Sequence, residues 1–116
     1  MSVPQTPETK LIKEVTADES TPPTTKNAGV NLAGYDVGVI QVIPEAGVTP
    51  TIEVLSWSTA LQTFIPVEPA AQYEGPSAGQ AFEVTFSPYG RAVWVRCTNV
   101  GAGVAIWMGC YSIGSL

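Results

Sequence analysis

This sequence contains no histidine among its 116 residues. Histidine is the commonest general base near neutral pH and a frequent metal ligand, so its absence removes the usual starting point for acid–base catalysis and for a zinc site. The three lysines, at positions 10, 13 and 26, all lie near the N-terminus, and the acidic residues of the remaining chain are dispersed. We therefore predict that the protein is not an enzyme and that it needs no metal and no other cofactor.

Positive charge is scarce in this chain. Five basic residues against ten acidic ones give a net charge of −5. Lysine and arginine supply affinity for nucleic acid by neutralising phosphates, and a basic cluster attracts a protein to anionic lipid. The five basic residues are not clustered along the chain. We therefore expect neither nucleic acid nor a membrane as a partner.

Long apolar runs are also absent. No stretch approaches the roughly 18 residues of a membrane-spanning helix. The first ten residues, MSVPQTPETK, lack the basic segment and apolar stretch of a secretory signal, so we expect synthesis in the cytoplasm. Cys97 and Cys110 lie in alternating apolar segments, which favours reduced core thiols in that compartment. A disulfide across adjacent strands is the alternative.

Charged residues of both signs make up only 13% of the chain, about half of the roughly 25% that is typical of soluble domains. A small domain has a large surface relative to its core. Two interpretations of the low charge stay open: a partner covers part of the surface, or uncharged polar residues and glycine occupy it.

Residues 1–33 differ in composition from the rest of the chain. They contain four prolines, seven of the fifteen charges and no aromatic residue. Such a segment buries too little apolar surface to offset its loss of conformational entropy. We predict an extended N-terminal arm, residues 1–33, that becomes ordered on a neighbouring subunit, followed by one domain, residues 34–116. The apolar residues predicted to anchor the arm on a partner are Val3, Leu11, Ile12 and Val15.

The domain alternates between short β-rich segments and turn signals containing glycine or proline. In 35–43 the alternation changes phase near Val39, which we interpret as a β-bulge. At least six strands without a convincing helix predict an all-β fold, either a small antiparallel β-sandwich or a jelly-roll-like barrel. The predicted strands are 35–43, 51–57, 61–67, 81–87, 91–98 and 104–113.

Aromatic residues mark a candidate face on the last two strands. Val93, Val95 and Cys97 are predicted to point inward from one strand, and Val104, Ile106, Met108 and Cys110 from the other. If these strands pair, their opposite sides form one face, which favours a protein interface or a sugar-binding platform. The alternative is that this face is also buried, under the arm or a second sheet. Its residues are Trp94, Arg96, Trp107 and Tyr111.

The run from Thr51 to Ile113 resembles small virion proteins of tailed bacteriophages. The residues that carry this resemblance are TIEVLSWSTALQTFIPV, an Ala/Gly-rich loop, AFEVTFSPYGRAVWVRCTNV and the closing strand AIWMGCYSI. The pattern is similar to that of capsid decoration (cement) proteins and related head or spike β-modules. The Pro/Thr-rich arm matches as well, since cement proteins often lay extended arms across neighbouring capsomers.

The resemblance implies a structural virion protein on the outer capsid surface, where a dimer or trimer would bridge subunits of the major capsid protein. It transfers no catalytic residue to this chain. The alternative is a carbohydrate-binding or host-adhesion module of a head fibre, spike or tail, which would use Trp94, Trp107 and Tyr111.

Overall fold

The computed structural model describes residues 9–67, 72–88 and 91–112. Within these ranges the chain forms nine strands and one short 3₁₀ helix, Lys26–Ala28. All six predicted strands are present, and the predicted all-β fold is confirmed as a β-sandwich. The strands are β1 Lys10–Val15, β2 Val30–Asn31, β3 Val37–Pro44, β4 Thr51–Ser58, β5 Thr63–Pro66, β6 Gln72–Glu74, β7 Phe82–Phe86, β8 Ala92–Thr98 and β9 Val104–Tyr111.

Two antiparallel sheets form the sandwich. Sheet A has the order β1-β9-β3-β7, and sheet B has the order β2-β8-β4-β5, with β6 also pairing with β4. The inner faces of both sheets carry β-branched and aliphatic residues at every second position, because successive side chains of a strand point to opposite sides. The core formed between them includes Ile40, Val42, Ile52, Val54, Val93, Val95, Cys97, Val104, Ile106 and Met108.

The predicted bulge in the first long strand is wrong. Strand β3 pairs with β9 in continuous register from Val37 to Pro44. β3 lies in the interior of sheet A, between β9 and β7, and both of its sides carry apolar residues, with Val39 as deeply buried as Ile40. The apparent change of phase therefore reflects a strand with two apolar faces.

The turn between β8 and β9 carries the chain from sheet B to sheet A. Three of its residues adopt positive φ: Asn99 (56°), Gly101 (51°) and Gly103 (143°). This backbone region favours glycine and, to a lesser extent, asparagine. The two strands that are consecutive in sequence are consequently not neighbours in one sheet.

The N-terminal segment belongs to the sandwich as far as the structure describes it. β1 pairs with β9, and β2 pairs with β8, while Leu32 is buried in the core at 1% exposure. The composition of residues 1–33 predicts an extended arm outside the domain, so residues 9–33 differ from that expectation. Pairing with a sheet edge depends on backbone N–H and C=O groups, and residue composition does not report it.

A second apolar cluster lies on the outer face of sheet B. It consists of Leu55, Trp57, Phe64 and Ala92, with Trp94 packed against it. The rings of Trp57 and Phe64 meet edge to face at 5.1 Å. The segment between β1 and β2 covers this cluster: the Thr63 hydroxyl donates a hydrogen bond to the Pro23 carbonyl, and a Cβ added to Gly29 would lie 2.6 Å from the Phe64 ring.

Phe64→Ala tests the contribution of this cluster. Phe64 is 1% exposed, so truncation should lower the free energy of unfolding by about 3–5 kcal/mol. The matched control is Leu61→Ala in the adjacent turn, because Leu61 is 65% exposed and should change stability by less than about 0.5 kcal/mol. Urea unfolding measures both; equal losses would show that the second cluster does not stabilise the fold.

Candidate interaction surface

The four residues predicted to share one face lie on two faces. β8 pairs with β2 and β4, whereas β9 pairs with β1 and β3. Trp94 and Arg96 therefore lie on the outer side of sheet B, and Trp107 and Tyr111 lie on the outer side of sheet A. The prediction of a single aromatic platform is wrong because the turn after β8 carries the chain into the other sheet.

Trp94 and Arg96 make contacts within their own chain. The Trp94 ring packs beside Phe64 at 6.4 Å between centroids, and the Lys13 ammonium lies 4.5 Å from the Trp94 ring centroid. Arg96 forms an ion pair with Glu53 and donates a hydrogen bond to a backbone carbonyl of the N-terminal segment. Both side chains thus hold residues 13–20 against sheet B.

A group of charged side chains connects the edges of the two sheets; we call Lys13, Asp18 and Glu19 the inter-sheet clasp. The Lys13 ammonium lies 2.9 Å from a Glu19 carboxylate oxygen and also donates a hydrogen bond to the Val95 carbonyl. The same carboxylate accepts the backbone N–H of Cys97 at 2.9 Å, and Asp18 accepts that of Val100 at 3.1 Å. The clasp joins β1 and the segment after it to β8 and the turn that follows β8.

Cys97 lies next to the clasp and is buried, whereas Cys110 is half-buried; both are free thiols. Burial and, second, the negative charge of Glu19 raise the pKa of the Cys97 thiol to about 11. Burial also raises the pKa of Cys110, against a hydrogen bond from Tyr35 that lowers it. Neither thiol is poised as a nucleophile, since the thiolate is the reactive form.

The outer face of sheet A carries a partly exposed apolar surface, which we call the sheet A patch: Leu11, Ile43, Trp107 and Tyr111. Leu11 lies opposite Trp107 on the neighbouring strand. Leu11 and Ile43 are 45% and 43% exposed, and the two aromatic residues are half-buried. Trp and Tyr in an incompletely covered apolar surface are typical of a protein interface.

A groove of about 240 Å³ adjoins the patch at the end of sheet A. Ile43, Pro44 and Ala105 form an apolar wall, and Glu14 and Glu45 also line the groove. Both glutamates are exposed. This combination suits the side chain of a lysine or arginine, whose methylene groups pack on apolar surface while the charged group meets a carboxylate.

The residues predicted as arm anchors have three different placements. Leu11 belongs to the patch, and Ile12 is 40% exposed at an irregularity in the pairing of β1 with β9. Val15 is 5% exposed in the core, so the prediction that it anchors a partner is wrong: its strand turns that side chain inward. Val3 lies outside the described residues.

Ile43 is a patch residue that the sequence analysis did not single out. It lies opposite Ala105 in the register of β3 and β9. The sequence feature that indicates it is a second apolar row in residues 35–43, formed by Val37, Val39 and Ile43 on one side of the strand. We interpreted the presence of two apolar rows as a bulge. A central strand with apolar residues on both sides also produces that row.

The described parts of the chain bring together no group of three or more Cys, Asp or Glu side chains arranged to hold a metal ion. Among the helices in the described ranges, none has the length and apolar character needed to span a membrane. Comparisons of the chain with protein-family models, with curated proteins and with solved structures find no match.

Lys13→Met tests the inter-sheet clasp. The ion pair with Glu19 is partly exposed, and it should contribute about 1 kcal/mol together with the cation–π contact. We expect Lys13→Met to lower the free energy of unfolding by about 1 kcal/mol, as measured by urea unfolding. The same substitution should have a smaller effect in a Glu19→Gln background, because the partner charge is then absent. Lys10→Met, an exposed lysine on the same strand, is the control; equal losses at both positions would contradict the clasp.

The pKa of Cys97 predicts a pH dependence of stability. The ordinary thiol pKa is 9.0 and the folded value is about 11, so the folded state holds the proton more tightly. The resulting stabilisation is complete below about pH 9 and is lost as the pH rises through about 11. We expect the free energy of unfolding to fall less steeply over this range in Cys97→Ala than in the native protein. An unchanged slope would contradict the shift, and Cys110→Ala serves as the comparison.

Proposed function

We propose that this protein is a structural virion protein that decorates a tailed-bacteriophage capsid and stabilises it by bridging subunits of the major capsid protein. The main support for the proposal is the sheet A patch, a partly exposed apolar surface that contains Trp107 and Tyr111. The resemblance of residues 51–113 to decoration proteins supplies the class of partner. Protein partners, unlike small substrates, suit a broad surface of this kind.

The groove beside the patch supports a protein partner with basic residues at the contact rim. Glu14 and Glu45 line this groove, and Glu83 is exposed on the same outer face of sheet A. The net charge of −5 has the same sign. A capsid surface that presents aliphatic or aromatic side chains ringed by lysine or arginine would match this distribution of apolar and acidic groups.

The chain's part in such an assembly is mechanical. A bridging protein stabilises a joint by burying surface on both sides of it, which a rigid sandwich does without a change of shape. Because β1 contributes Leu11 to the patch, binding would also draw on the pairing of β1 with β9. A dimer or trimer at a symmetry axis on the outer capsid surface is part of the proposal.

Carbohydrate binding or host adhesion is the second candidate. Trp94 lies on the other sheet, so a sugar could stack only on Trp107 and Tyr111. These two residues point outward from β9 on either side of Gly109. Stacking of a sugar ring would require an open aromatic face, and both residues are half-buried. If this candidate is right, the native protein binds a glycan but no capsid, and Trp107→Ala abolishes the glycan binding.

Ile43→Glu tests the decoration function. Ile43 lies at the end of the patch that adjoins the groove. A charge placed there should weaken binding to capsids that lack the protein by about tenfold, which corresponds to the loss of about 1.4 kcal/mol of contact energy. Co-sedimentation with such capsids over a range of protein concentrations measures the affinity.

The control is Leu61→Glu, which makes the same change at a more exposed leucine (65%) outside sheet A. It should bind capsids as the native protein does. Equal weakening by both substitutions would exclude the patch as the contact, and an absence of capsid binding by the native protein would refute the proposed function.

A further inference from the structure

A polar pocket of about 460 Å³ lies at one end of sheet B. β4 and the turn that follows it contribute Trp57, Ser58 and Thr59, β8 contributes its first residue, Ala92, and the pocket is also lined by Arg91, which immediately precedes that strand. The 3₁₀ helix contributes Lys26. The segment that covers the second apolar cluster thus brings a lysine to a pocket that Arg91 also lines.

The distribution of the five basic residues makes this pocket unusual. Lys13 and Arg96 are paired with Glu19 and Glu53. Lys26 and Arg91 are exposed, and in the described part of the chain neither lies within ion-pair distance of a carboxylate. The described residues that line the pocket include no acid. Two of the five cations of an acidic protein therefore line one pocket in which the described residues supply no counter-charge.

Hydrogen-bond donors surround the same space. The Arg91 guanidinium makes one long contact of 3.4 Å to the Ser56 hydroxyl, which leaves most of its N–H groups available. The Ser58 hydroxyl accepts the backbone N–H of Leu61 at 3.2 Å, so its own proton is free to be donated. Trp57 is 8% exposed and gives the pocket a rigid apolar wall.

We propose that this pocket binds a carboxylate group of a ligand, with the planar carboxylate on the Arg91 guanidinium and with Lys26 and Ser58 as further donors. The guanidinium matches a carboxylate with two parallel hydrogen bonds. A carboxylate carries one negative charge, whereas phosphate carries up to two at neutral pH, and the net charge of −5 opposes the doubly charged ion more strongly. An acidic amino acid side chain and a uronic acid both present this group.

The site is independent of the proposed decoration function, because it lies on sheet B and shares no residue with the sheet A patch. The test is a titration followed by ¹H–¹⁵N NMR of the Trp57 indole N–H, at constant ionic strength. The probes are N-acetylglutamic acid α-amide, glucuronate and inorganic phosphate, with N-acetylglutamine amide as the neutral analogue of the first.

We expect saturable shifts with both carboxylate probes and none with the neutral analogue. Lys26→Gln and Arg91→Gln should each weaken binding by about tenfold or more, since Lys26→Gln removes one charge-assisted hydrogen bond and Arg91→Gln removes two. Lys10→Gln, which removes a lysine outside the pocket, should bind normally. Thermal unfolding of each variant establishes that it is folded, and Lys26 lies on the surface, where its loss should not disturb the core.

The probe that binds more tightly, the blocked glutamate or glucuronate, identifies the source of the carboxylate. Three results would overturn the proposal: no saturable shift with either carboxylate, equal affinity in the native protein and both pocket variants, or tighter binding of phosphate than of either carboxylate. None of these results bears on capsid binding, which is measured with Ile43→Glu.

Discussion

Strands β8 and β9 lie in opposite sheets, and this placement determines where the N-terminal segment can pair. Their inward rows, which include Val95 and Ile106, face each other across the core. Within the described part of residues 34–112, β8 pairs only with β4 and β9 pairs only with β3, so each has one edge left unpaired by that part of the chain. Unpaired backbone groups at a sheet edge favour association with another strand. The N-terminal segment meets this requirement within the same chain, with β1 on β9 and β2 on β8.

That segment also decides which surfaces are left for partners. The connection between β1 and β2 runs from the inter-sheet clasp over the outer face of sheet B, where it covers the cluster around Phe64. The outer face of sheet A receives no comparable cover from the described residues, and Leu11 and Ile43 stay exposed there. The same covering segment brings Lys26 into the pocket that Arg91 also lines. Both proposed binding surfaces thus follow from one path of the chain.

The sequence predicts what depends on local alternation and fails where backbone pairing decides. The inward positions of β8 and β9 were predictable because a period of two places Val93, Val95 and Cys97 on one side. The sequence did not predict that β8 and β9 belong to different sheets, since no local pattern distinguishes a hairpin from a turn that crosses between sheets. The pairing of β1 and β2 with the edges of the sandwich was not predictable, because backbone hydrogen bonds impose no side-chain pattern. The shared position of Lys26 and Arg91 in one pocket was not predictable either, because 65 positions separate them in the sequence.

Native-state hydrogen exchange of the isolated protein can establish whether the N-terminal segment is integrated into its own sandwich. Amides that pair across a sheet exchange slowly, whereas those of an unattached segment exchange at the free rate. We expect protection of the paired amides in β1 and of the Glu19 amide, whose N–H donates to the Cys97 carbonyl at 3.0 Å. Free exchange throughout 10–20, with β3 and β9 still protected, would contradict it and restore an arm that becomes ordered only on a partner.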